Sequence, residues 1–301
     1  MTTKKTPRVS IGIPVYNGAR YVGEAIGSVL AQTFSDFELI ICDNASTDGT
    51  QAACEALAAR DERVRYYRNE RNLGAARNFN RAFDLARGEY FKWLAADDLV
   101  APSYIERCVE ALNAAPGAVL AYTQASGIDP DGRLLKDCRH SVDLALQIDP
   151  VERFRLFRER SGFSAWPMLY IFAMMRVDAL RRTRLHGTYI NSDNCLIYEL
   201  LFLGSFCEVP ERLSFFRQHA GSSSTYALDR GTRQRFFNPD GHHLARLVGH
   251  RRLYIEYLLA IGRSPMSLSQ KLRIAAYNVS WALTKRREDV RAGFESLLAP
   301  P

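Results

Sequence analysis

Short apolar runs alternate with amphipathic stretches through the first 125 residues of the chain. The apolar runs predict strands at Val9–Ile13, Phe37–Cys42, Val64–Arg68, Glu89–Leu94 and Val119–Thr123. The stretches between them have apolar residues at helical spacing and predict helices at Tyr21–Gln32, Thr50–Ala59, Ala75–Ala86 and Ser103–Ala114. Strands and helices that alternate at this spacing form a parallel sheet covered on both faces, so we expect an α/β fold.

The pattern becomes less regular after residue 125. Asp129–Gly132 reads Asp-Pro-Asp-Gly, a turn sequence that predicts a hairpin. Met168–Met175 predicts a strand, and Ser192–Leu203 predicts a buried helix with a polar start. Two further strands are expected at Phe206–Val209 and Leu213–Arg217. This part of the chain therefore lacks the regular alternation of the first part.

The charge of the chain is concentrated in its tail. The 301 residues include 40 Lys and Arg against 33 Asp and Glu, a net charge of +7. Residues 1–224 hold 27 of each kind, whereas residues 225–301 hold 13 basic and 6 acidic residues, which accounts for the whole excess. Apolar spacing predicts helices in the tail over about 239–261, 268–284 and 287–298. The sequence thus predicts a basic, helical extension.

Several classes of protein are excluded by composition. The longest nearly uncharged apolar run, Cys195–Cys207, contains Glu199 and is too short for a membrane-spanning helix. The polar residues after Met1 predict no signal peptide. The cysteines lack metal-ligand spacing, which predicts free thiols in a reducing cytoplasm. Because the tail intersperses basic residues with apolar ones rather than with base-stacking aromatics, we expect no nucleic-acid partner.

Polar loops follow each of the first four predicted strands. They begin at Pro14, Asp43, Asn69 and Ala95, and they carry an aromatic residue, carboxylates, an arginine and glycines. In an open parallel sheet, ligands bind at the carboxyl ends of the strands, where such loops meet. The glycine motifs that cradle phosphates, G-x-G-x-x-G and G-x-x-x-x-G-K-[ST], are absent. The loops therefore predict a nucleotide site that handles phosphates with a metal ion and an arginine.

Four segments resemble the signature series of family 2 glycosyltransferases. They are Val9–Gly18 (VSIGIPVYNG), Ile40–Thr50 (IICDNASTDGT), Asn72–Gly74 (NLG) and Trp93–Asp98 (WLAADD). The likeness continues more loosely through Ser192-Asp193 and Phe216–His219 and does not extend into the tail. It implies the GT-A fold, a Rossmann-like, mostly parallel sheet flanked by helices, here with a helical C-terminal extension. It also implies an inverting hexosyltransferase of polysaccharide or glycoconjugate biosynthesis.

The resemblance implies roles for residues of the first three loops. Pro14, Tyr16 and Asn17 would shape the base pocket, with Tyr16 against the base. Asp43 would accept a hydrogen bond from the base or the ribose. Arg77 would face the donor diphosphate, because a permanent planar charge suits phosphate oxygens.

The loop after the fourth strand matches the metal-binding DXD motif of the family. The resemblance places Ala96, Asp97 and Asp98 in the donor site, and Asp97 would hold Mg²⁺ or Mn²⁺ on the diphosphate. His219 matches a downstream histidine that completes the metal shell or contacts phosphate. The chain departs from the motif at Ala95, where the family has its first aspartate.

Asp193 matches the position of the general base of the family. An inverting transfer needs a carboxylate that takes the proton of the acceptor hydroxyl, and the predicted helix start at Ser192 favours an ionised side chain there. The implied organisation is a donor-binding half at 1–125, an acceptor-binding and catalytic half of the same domain at 126–224, and the extension at 225–301.

Two alternatives to a transferase of this kind stay open. A nucleotidyltransferase also joins a parallel sheet to a metal site, but it needs a basic, glycine-rich first loop that Pro14–Gly18 lacks. An inactive scaffold that only binds donor is suggested by Ala95. The expected partners are a nucleoside diphosphate sugar and a saccharide, lipid-linked or other hydroxyl acceptor. The basic helices predict either peripheral contact with the inner face of a membrane or a homo-oligomer.

Overall fold

The fold is organised around one mixed β-sheet. The computed structural model describes residues 6–138, 149–161, 168–221, 235–240 and 244–280. The described strands are β1 Val9–Val15, β2 Phe37–Asp43, β3 Val64–Arg68, β4 Tyr90–Trp93, β5 Leu99–Val100, β6 Ala118–Ile128, β7 Leu134–Cys138, β8 Met174–Arg176 and β9 Ser205–Arg217. Their order is β3-β2-β1-β4-β8-β6-β9-β5, and β7 pairs with β6.

Helices cover both faces of this sheet. The described helices are α1 Val22–Leu30, α2 Thr50–Ala58, α3 Ala75–Asp84, α4 Tyr104–Ala114, α5 Pro150–Ser161, α6 Met168–Ile171, α7 Val177–Arg181, α8 Ser192–Leu203, α9 Leu244–Arg263 and α10 268–280. One apolar core forms where α1, α2 and α4 pack on the sheet, and a second forms where α3, α5, α8 and α9 pack on the opposite face.

The first four strands confirm the predicted parallel unit. β1 pairs in parallel with β2 and β4, and β2 pairs in parallel with β3. All seven residues of β1 are buried, as expected for a central strand covered on both faces. Gly12 permits close packing there, since a Cβ would lie 2.9 Å from the Ala82 Cβ and the Phe91 Cζ. The loops after these strands therefore lie along one edge of the sheet.

Two predictions in the second half were wrong. Met168–Met175 is not one strand, because α6 packs under α8 and only Met174–Arg176 pairs with β4 and β6. The expected strands at Phe206–Val209 and Leu213–Arg217 are one strand, β9. In β6, Thr123 pairs with Val209 and the next residue pairs with Arg212. The two residues between them form a bulge that interrupts the apolar pattern of β9. The hairpin at Asp129–Gly132 is confirmed as the β6–β7 turn.

The C-terminal helices pack on α5 and α8. α9 buries Leu253, Tyr257 and Ala260, and its Tyr257 ring lies 4.7 Å from the ring of Tyr198 in α8. α10 buries Ile274. α9 overlaps the predicted helix at 239–261, and α10 begins at 268 as predicted, whereas residues 281–284 and 287–298 lie outside the described residues. None of the helices in the described ranges is long and apolar enough to cross a bilayer.

Candidate active site

The loop after β1 is fastened to the loop after β2. The Asn17 N–H donates to the Ser46 Oγ at 2.9 Å, and the Thr47 N–H donates to the Asn17 Oδ1 at 2.8 Å. Asn17 has a positive φ of 52°, a conformation that asparagine tolerates better than most residues. Pro14 is buried in β1, whereas the Tyr16 side chain is 47% exposed. Asn17 therefore shapes the loop, and Tyr16 presents an open ring at the edge.

Asp43 is a buried carboxylate that accepts three hydrogen bonds. It accepts bonds from the Ser46 N–H at 2.8 Å, the Tyr66 hydroxyl at 2.7 Å and Arg68 at 2.6 Å. Burial acts to raise the pKa of Asp43, but the hydrogen bonds from Ser46, Tyr66 and Arg68 outweigh it and lower the pKa. Asp43 is thus held ionised by this chain's own groups.

Asparagine side chains connect the loops after β2 and β3. The Asn69 amide donates to the Asn44 Oδ1 at 2.8 Å and to the Asn78 Oδ1 at 2.9 Å. The Asn44 amide donates to the Asn72 Oδ1, and the Asn78 amide donates to the Cys42 carbonyl, both at 2.8 Å. This network fixes the Asn72–Gly74 motif against the sheet.

Asp97 and His219 meet at the carboxyl edge of β4. The His219 Nε2 lies 3.0 Å from the Asp97 Oδ2, although the two residues are far apart in the sequence. Both side chains are only partly exposed, at 27% for Asp97 and 16% for His219. The Gly221 N–H donates to the His219 Nδ1 at 3.2 Å, so in this arrangement the Nε2 proton faces the carboxylate.

Asp98 lies beneath that pair and points inward. Its Oδ1 accepts the backbone N–H of Arg217 at 2.9 Å. Burial raises the pKa of Asp98, and the adjacent charge of Asp97 raises it further. Lys92 is buried nearby on β4, where burial lowers its pKa to about 8. Its ammonium donates to the Phe172 carbonyl and lies 4.4 Å from the centre of the Tyr104 ring.

Arg77 lies on the first turn of α3 and is bound to a carboxylate from the tail. Its guanidinium donates to the Asp240 Oδ2 at 2.9 Å, while Arg71 donates to both oxygens of Asp240 at 3.0 and 3.1 Å. The hydrogen bonds from Arg71 and Arg77 lower the pKa of Asp240. The segment 235–240 also packs on the loop, because a Cβ at Gly74 would lie 2.6 Å from the Phe237 carbonyl oxygen.

Asp193 occupies the first turn of α8 as predicted. The helix spans Ser192–Leu203, and Asp193 is half-buried in it. The N-terminus of a helix of this length favours a negative charge. The arrangement agrees with an ionised carboxylate, and the catalytic role of Asp193 stays a prediction.

The Asp97–His219 pair fits a divalent cation that is shared with a substrate. Adjacent ligands of an octahedral ion with bonds of about 2.1 Å lie about 3.0 Å apart, which matches the observed separation of 3.0 Å. Within the described ranges, no group of three or more His, Cys, Asp or Glu side chains is arranged to hold a metal. Such sites complete their shell with phosphate oxygens and water. For Nε2 to bind the ion, its proton must move to Nδ1.

Comparison with known sequences decides the family. A sequence profile described as Glycosyl transferase family 2 matches residues 10–183, more than half of the chain. The chain belongs to this family. The match includes the loops after β1, β2, β3 and β4 and with them Asp97, whereas Asp193 and His219 lie beyond its end.

The relatives of this chain include an uncharacterized glycosyltransferase and two synthases. An uncharacterized glycosyltransferase of Nostoc sp. is 30% identical over 75% of this chain and 70% of its own length. Chondroitin synthase of Escherichia coli is 35% identical over 45% of this chain, and hyaluronan synthase of Pasteurella multocida is 35% identical over 44%. The matched part spans only 20% of the first synthase and 13% of the second.

Solved structures confirm the predicted fold. S. aureus TarS 1–349 in complex with UDP-GlcNAc superposes with a TM-score of 0.65 over 90% of this chain and 71% of its own, at 15% sequence identity. The complex of the same protein with UDP gives a TM-score of 0.64. The predicted GT-A architecture, with a helical C-terminal part, is therefore correct.

Three arginines of the site were not assigned roles from the sequence. Arg68 binds Asp43, Arg71 binds Asp240, and Arg217 contacts the loop that carries Asp97. Arg217 had a detectable signal, because it stands two residues before His219 in the Phe216–His219 motif. Arg68 ends β3 and Arg71 lies in the loop after it, at the edge where the ligand was expected, but the partners of both depend on the fold.

Proposed function

We propose that this protein transfers a hexose from a nucleoside diphosphate sugar to an acceptor hydroxyl with inversion at the anomeric carbon. The observation that carries the proposal is the Asp97–His219 pair, 3.0 Å apart at the carboxyl edge of β4 in a family 2 glycosyltransferase. A partly exposed carboxylate and imidazole at that edge suit a donor diphosphate and its metal ion. The exposed Tyr16 would lie against the base.

Asp97 and His219 would hold the Mg²⁺ or Mn²⁺ ion. When bound, the ion neutralises the charge that develops on the departing diphosphate. Asp98 supports the loop from below through the backbone of Arg217. Asp43, held by Arg68 and Tyr66, would offer its remaining acceptor capacity to the base or ribose.

Asp193 would act as the general base. As the acceptor oxygen forms its bond to the anomeric carbon, the bond from that carbon to the diphosphate oxygen breaks, and the hydroxyl proton passes to the Asp193 carboxylate. Asp193→Asn keeps the shape of the side chain and removes the base. We expect kcat to fall by about 100-fold or more, while donor affinity measured by calorimetry stays unchanged. An unchanged kcat would eliminate Asp193 as the base.

The donor is best identified by thermal stabilisation. UDP, GDP, CDP and dTDP sugars are each added with Mn²⁺, and the melting temperature is measured. UDP sugars are tested first, because the TarS structures similar in fold contain UDP and UDP-GlcNAc. We expect one nucleotide class to stabilise the protein, with the effect lost in Asp97→Ala and kept in the exposed control Asp84→Ala. No response to any donor would overturn the proposal.

Product analysis separates the proposal from its alternatives. A transferase releases a nucleoside diphosphate from the donor sugar, whereas a nucleotidyltransferase releases pyrophosphate from a nucleoside triphosphate. An inactive scaffold, which Ala95 suggests, binds donor and releases neither. A saccharide is the first acceptor to test, because two relatives are named chondroitin synthase and hyaluronan synthase. Release of the diphosphate only when an acceptor saccharide is present is the expected result.

The C-terminal helices would dock on an anionic membrane at its cytoplasmic face. Six large apolar side chains on these helices are exposed: Ile255, Leu258, Leu259, Leu268, Leu272 and Val279. On α9 they lie opposite the buried Leu253 and Tyr257. Residues 244–280 contain six basic residues and one acidic residue, so they attract anionic lipid and repel a second copy of themselves. The unpaired thiols of the described cysteines suit a reducing compartment.

Vesicle co-sedimentation of the full chain tests this docking. We expect binding to phosphatidylglycerol vesicles and not to phosphatidylcholine vesicles. The double variant Leu268→Ser, Leu272→Ser should bind about tenfold more weakly, whereas the control Leu134→Ser, Leu135→Ser, with exposed leucines on β7, should bind normally. Equal binding by both variants would contradict the proposal, and a concentration-dependent dimer lost only in the first variant would show that a second copy covers the face.

A further inference from the structure

Arg217, at the end of β9, forms hydrogen bonds with all three nitrogens of its side chain. Its Nε donates to the Asp97 carbonyl at 2.9 Å, one terminal nitrogen donates to the Pro130 carbonyl at 2.8 Å, and the other donates to Glu24 at 2.7 Å. Its backbone N–H donates to the Asp98 Oδ1. The side chain is fully buried. Arg217 therefore connects the loop that carries Asp97, helix α1 and the β6–β7 hairpin.

The same guanidinium also supports His219 through an aromatic ring. The Arg217 Cζ lies 4.6 Å from the centre of the Tyr21 ring, and that ring lies 4.8 Å from the His219 ring. Arg217 thus contacts the backbone of Asp97 on one side and supports the imidazole partner of Asp97 on the other. Its planar fork can make these contacts at once, whereas a lysine ammonium cannot span them.

We propose that Arg217 is a positioning residue that holds the Asp97 carboxylate and the His219 imidazole at the spacing of adjacent metal ligands. Arg217 itself is buried behind the pair and does not touch the donor in this proposal. The inference rests on the proposed function, because it assumes that Asp97 and His219 bind the donor's metal ion. Residues that orient metal ligands from behind change metal affinity by roughly 10–100-fold when they are replaced.

Arg176 provides a matched control. It is a partly buried arginine on β8 that donates to the Ala118 carbonyl at 2.8 Å and the Leu112 carbonyl at 2.7 Å, and its Cζ lies 5.5 Å from the centre of the Tyr90 ring. It makes the same kinds of contact as Arg217, but with the opposite end of β6. Arg176→Lys and Arg217→Lys should therefore both reduce stability, while only the second should change metal binding.

The test measures Mn²⁺ affinity with UDP present, by the loss of the electron paramagnetic resonance signal of free Mn²⁺. We expect Arg217→Lys to weaken Mn²⁺ binding by about tenfold or more and Arg176→Lys to leave it unchanged. Thermal unfolding of each variant reports the loss of stability separately. Equal Mn²⁺ affinity in wild type and Arg217→Lys would overturn the positioning role.

A second variant keeps the test decisive if Arg217→Lys does not fold. Glu24→Gln removes only the carboxylate that faces the outer nitrogen of Arg217, and the Glu24 side chain is 54% exposed, so the fold should tolerate it. We expect Mn²⁺ affinity to fall about two- to fivefold; no change would also count against the proposal. If the wild-type protein binds no Mn²⁺ with any nucleoside diphosphate, the proposed function is wrong. If the wild type and both variants bind Mn²⁺ with equal affinity, only the positioning role of Arg217 is wrong.

Discussion

The loops after β4 and β3 lie on the same edge of the sheet but hold their charged side chains in opposite ways. After β4, Asp97 and Asp98 are fixed by Arg217, whose side chain is fully buried. After β3, Arg71 and Arg77 are 63% and 43% exposed and share the carboxylate of Asp240. The side that carries Asp97 and His219, the proposed metal ligands, is therefore anchored by a buried arginine and is called the metal side. The side that carries Arg71 and Arg77, the arginine side, is closed by a surface contact.

This difference indicates how a donor would enter. A buried network costs free energy to rearrange, so Arg217 holds the loop that carries Asp97 in one arrangement. Exposed ion pairs contribute little stability and exchange readily. The Asp240 carboxylate offers Arg71 and Arg77 the same kind of oxygen atoms as a phosphate does. A diphosphate that binds these arginines would have to replace Asp240.

The largest effect should come from the metal side. Asp97→Asn keeps the size of the side chain and removes the charge, and we expect kcat to fall about 100-fold, since a metal ion contributes several kcal/mol to such a reaction. Arg77→Gln should instead raise the donor KM about tenfold with little change in kcat, because it removes a charge-assisted hydrogen bond. Steady-state kinetics with saturating acceptor distinguish the two. A larger loss of kcat in Arg77→Gln than in Asp97→Asn would contradict this prediction.

The two sides also differ in how far the sequence could predict them. The loops after β1 to β4 could be placed together because apolar runs alternate with helical spacing there, and parallel strands carry their loops to one edge. The prediction of a strand at Met168–Met175 was wrong, since a short apolar run suits a helix as well as a strand. The Asp240–Arg77 contact joins residues 163 positions apart through a region without motifs. Only the folded chain reveals such a partner.

Asp43 should be the next most sensitive position, because its carboxylate is fully buried. Asp43→Asn leaves Arg68 and Tyr66 facing a neutral amide. We expect a loss of about 2 kcal/mol in the free energy of unfolding, less than for a fully buried pair because Arg68 is one-third exposed. Urea unfolding at pH 7 measures this loss. The exposed Asp84→Asn serves as control and should change stability by less than about 0.5 kcal/mol.

The pH dependence of that loss follows from the pKa of Asp43. The folded-state pKa lies below the unfolded value of about 3.9, so the stabilisation is fully present above pH 4 and is lost as the pH falls through the folded-state pKa. The stability difference between wild type and Asp43→Asn should therefore be constant from pH 7 to about pH 5 and should shrink below pH 4. A difference that persists unchanged in acid would show that the carboxylate charge is not its cause.

A substitution at Gly74 tests what holds the segment 235–240 against the loop after β3. Its φ of +82° disfavours side chains, and a Cβ would lie 2.6 Å from both the Phe237 carbonyl oxygen and the Pro239 Cδ. Gly74→Ala should cost about 1 kcal/mol and speed hydrogen exchange of amides in 235–240. The control Gly23→Ala, in α1 with open space around its Cβ position, should be neutral or slightly stabilising. Unchanged exchange in Gly74→Ala would mean that 235–240 is held by the ion pairs alone.

The smallest effect is expected at Asp240, and its sign is the most informative. Asp240→Asn removes the carboxylate that occupies Arg71 and Arg77, so UDP with Mn²⁺ should bind about two- to fivefold more tightly, as measured by calorimetry at low salt. Glu110→Gln, which removes an exposed partner of Arg107 on α4, makes the same change in net charge and should leave UDP affinity unchanged. Weaker or equal UDP binding in Asp240→Asn would contradict the idea that the Asp240 carboxylate and the donor diphosphate compete for Arg71 and Arg77.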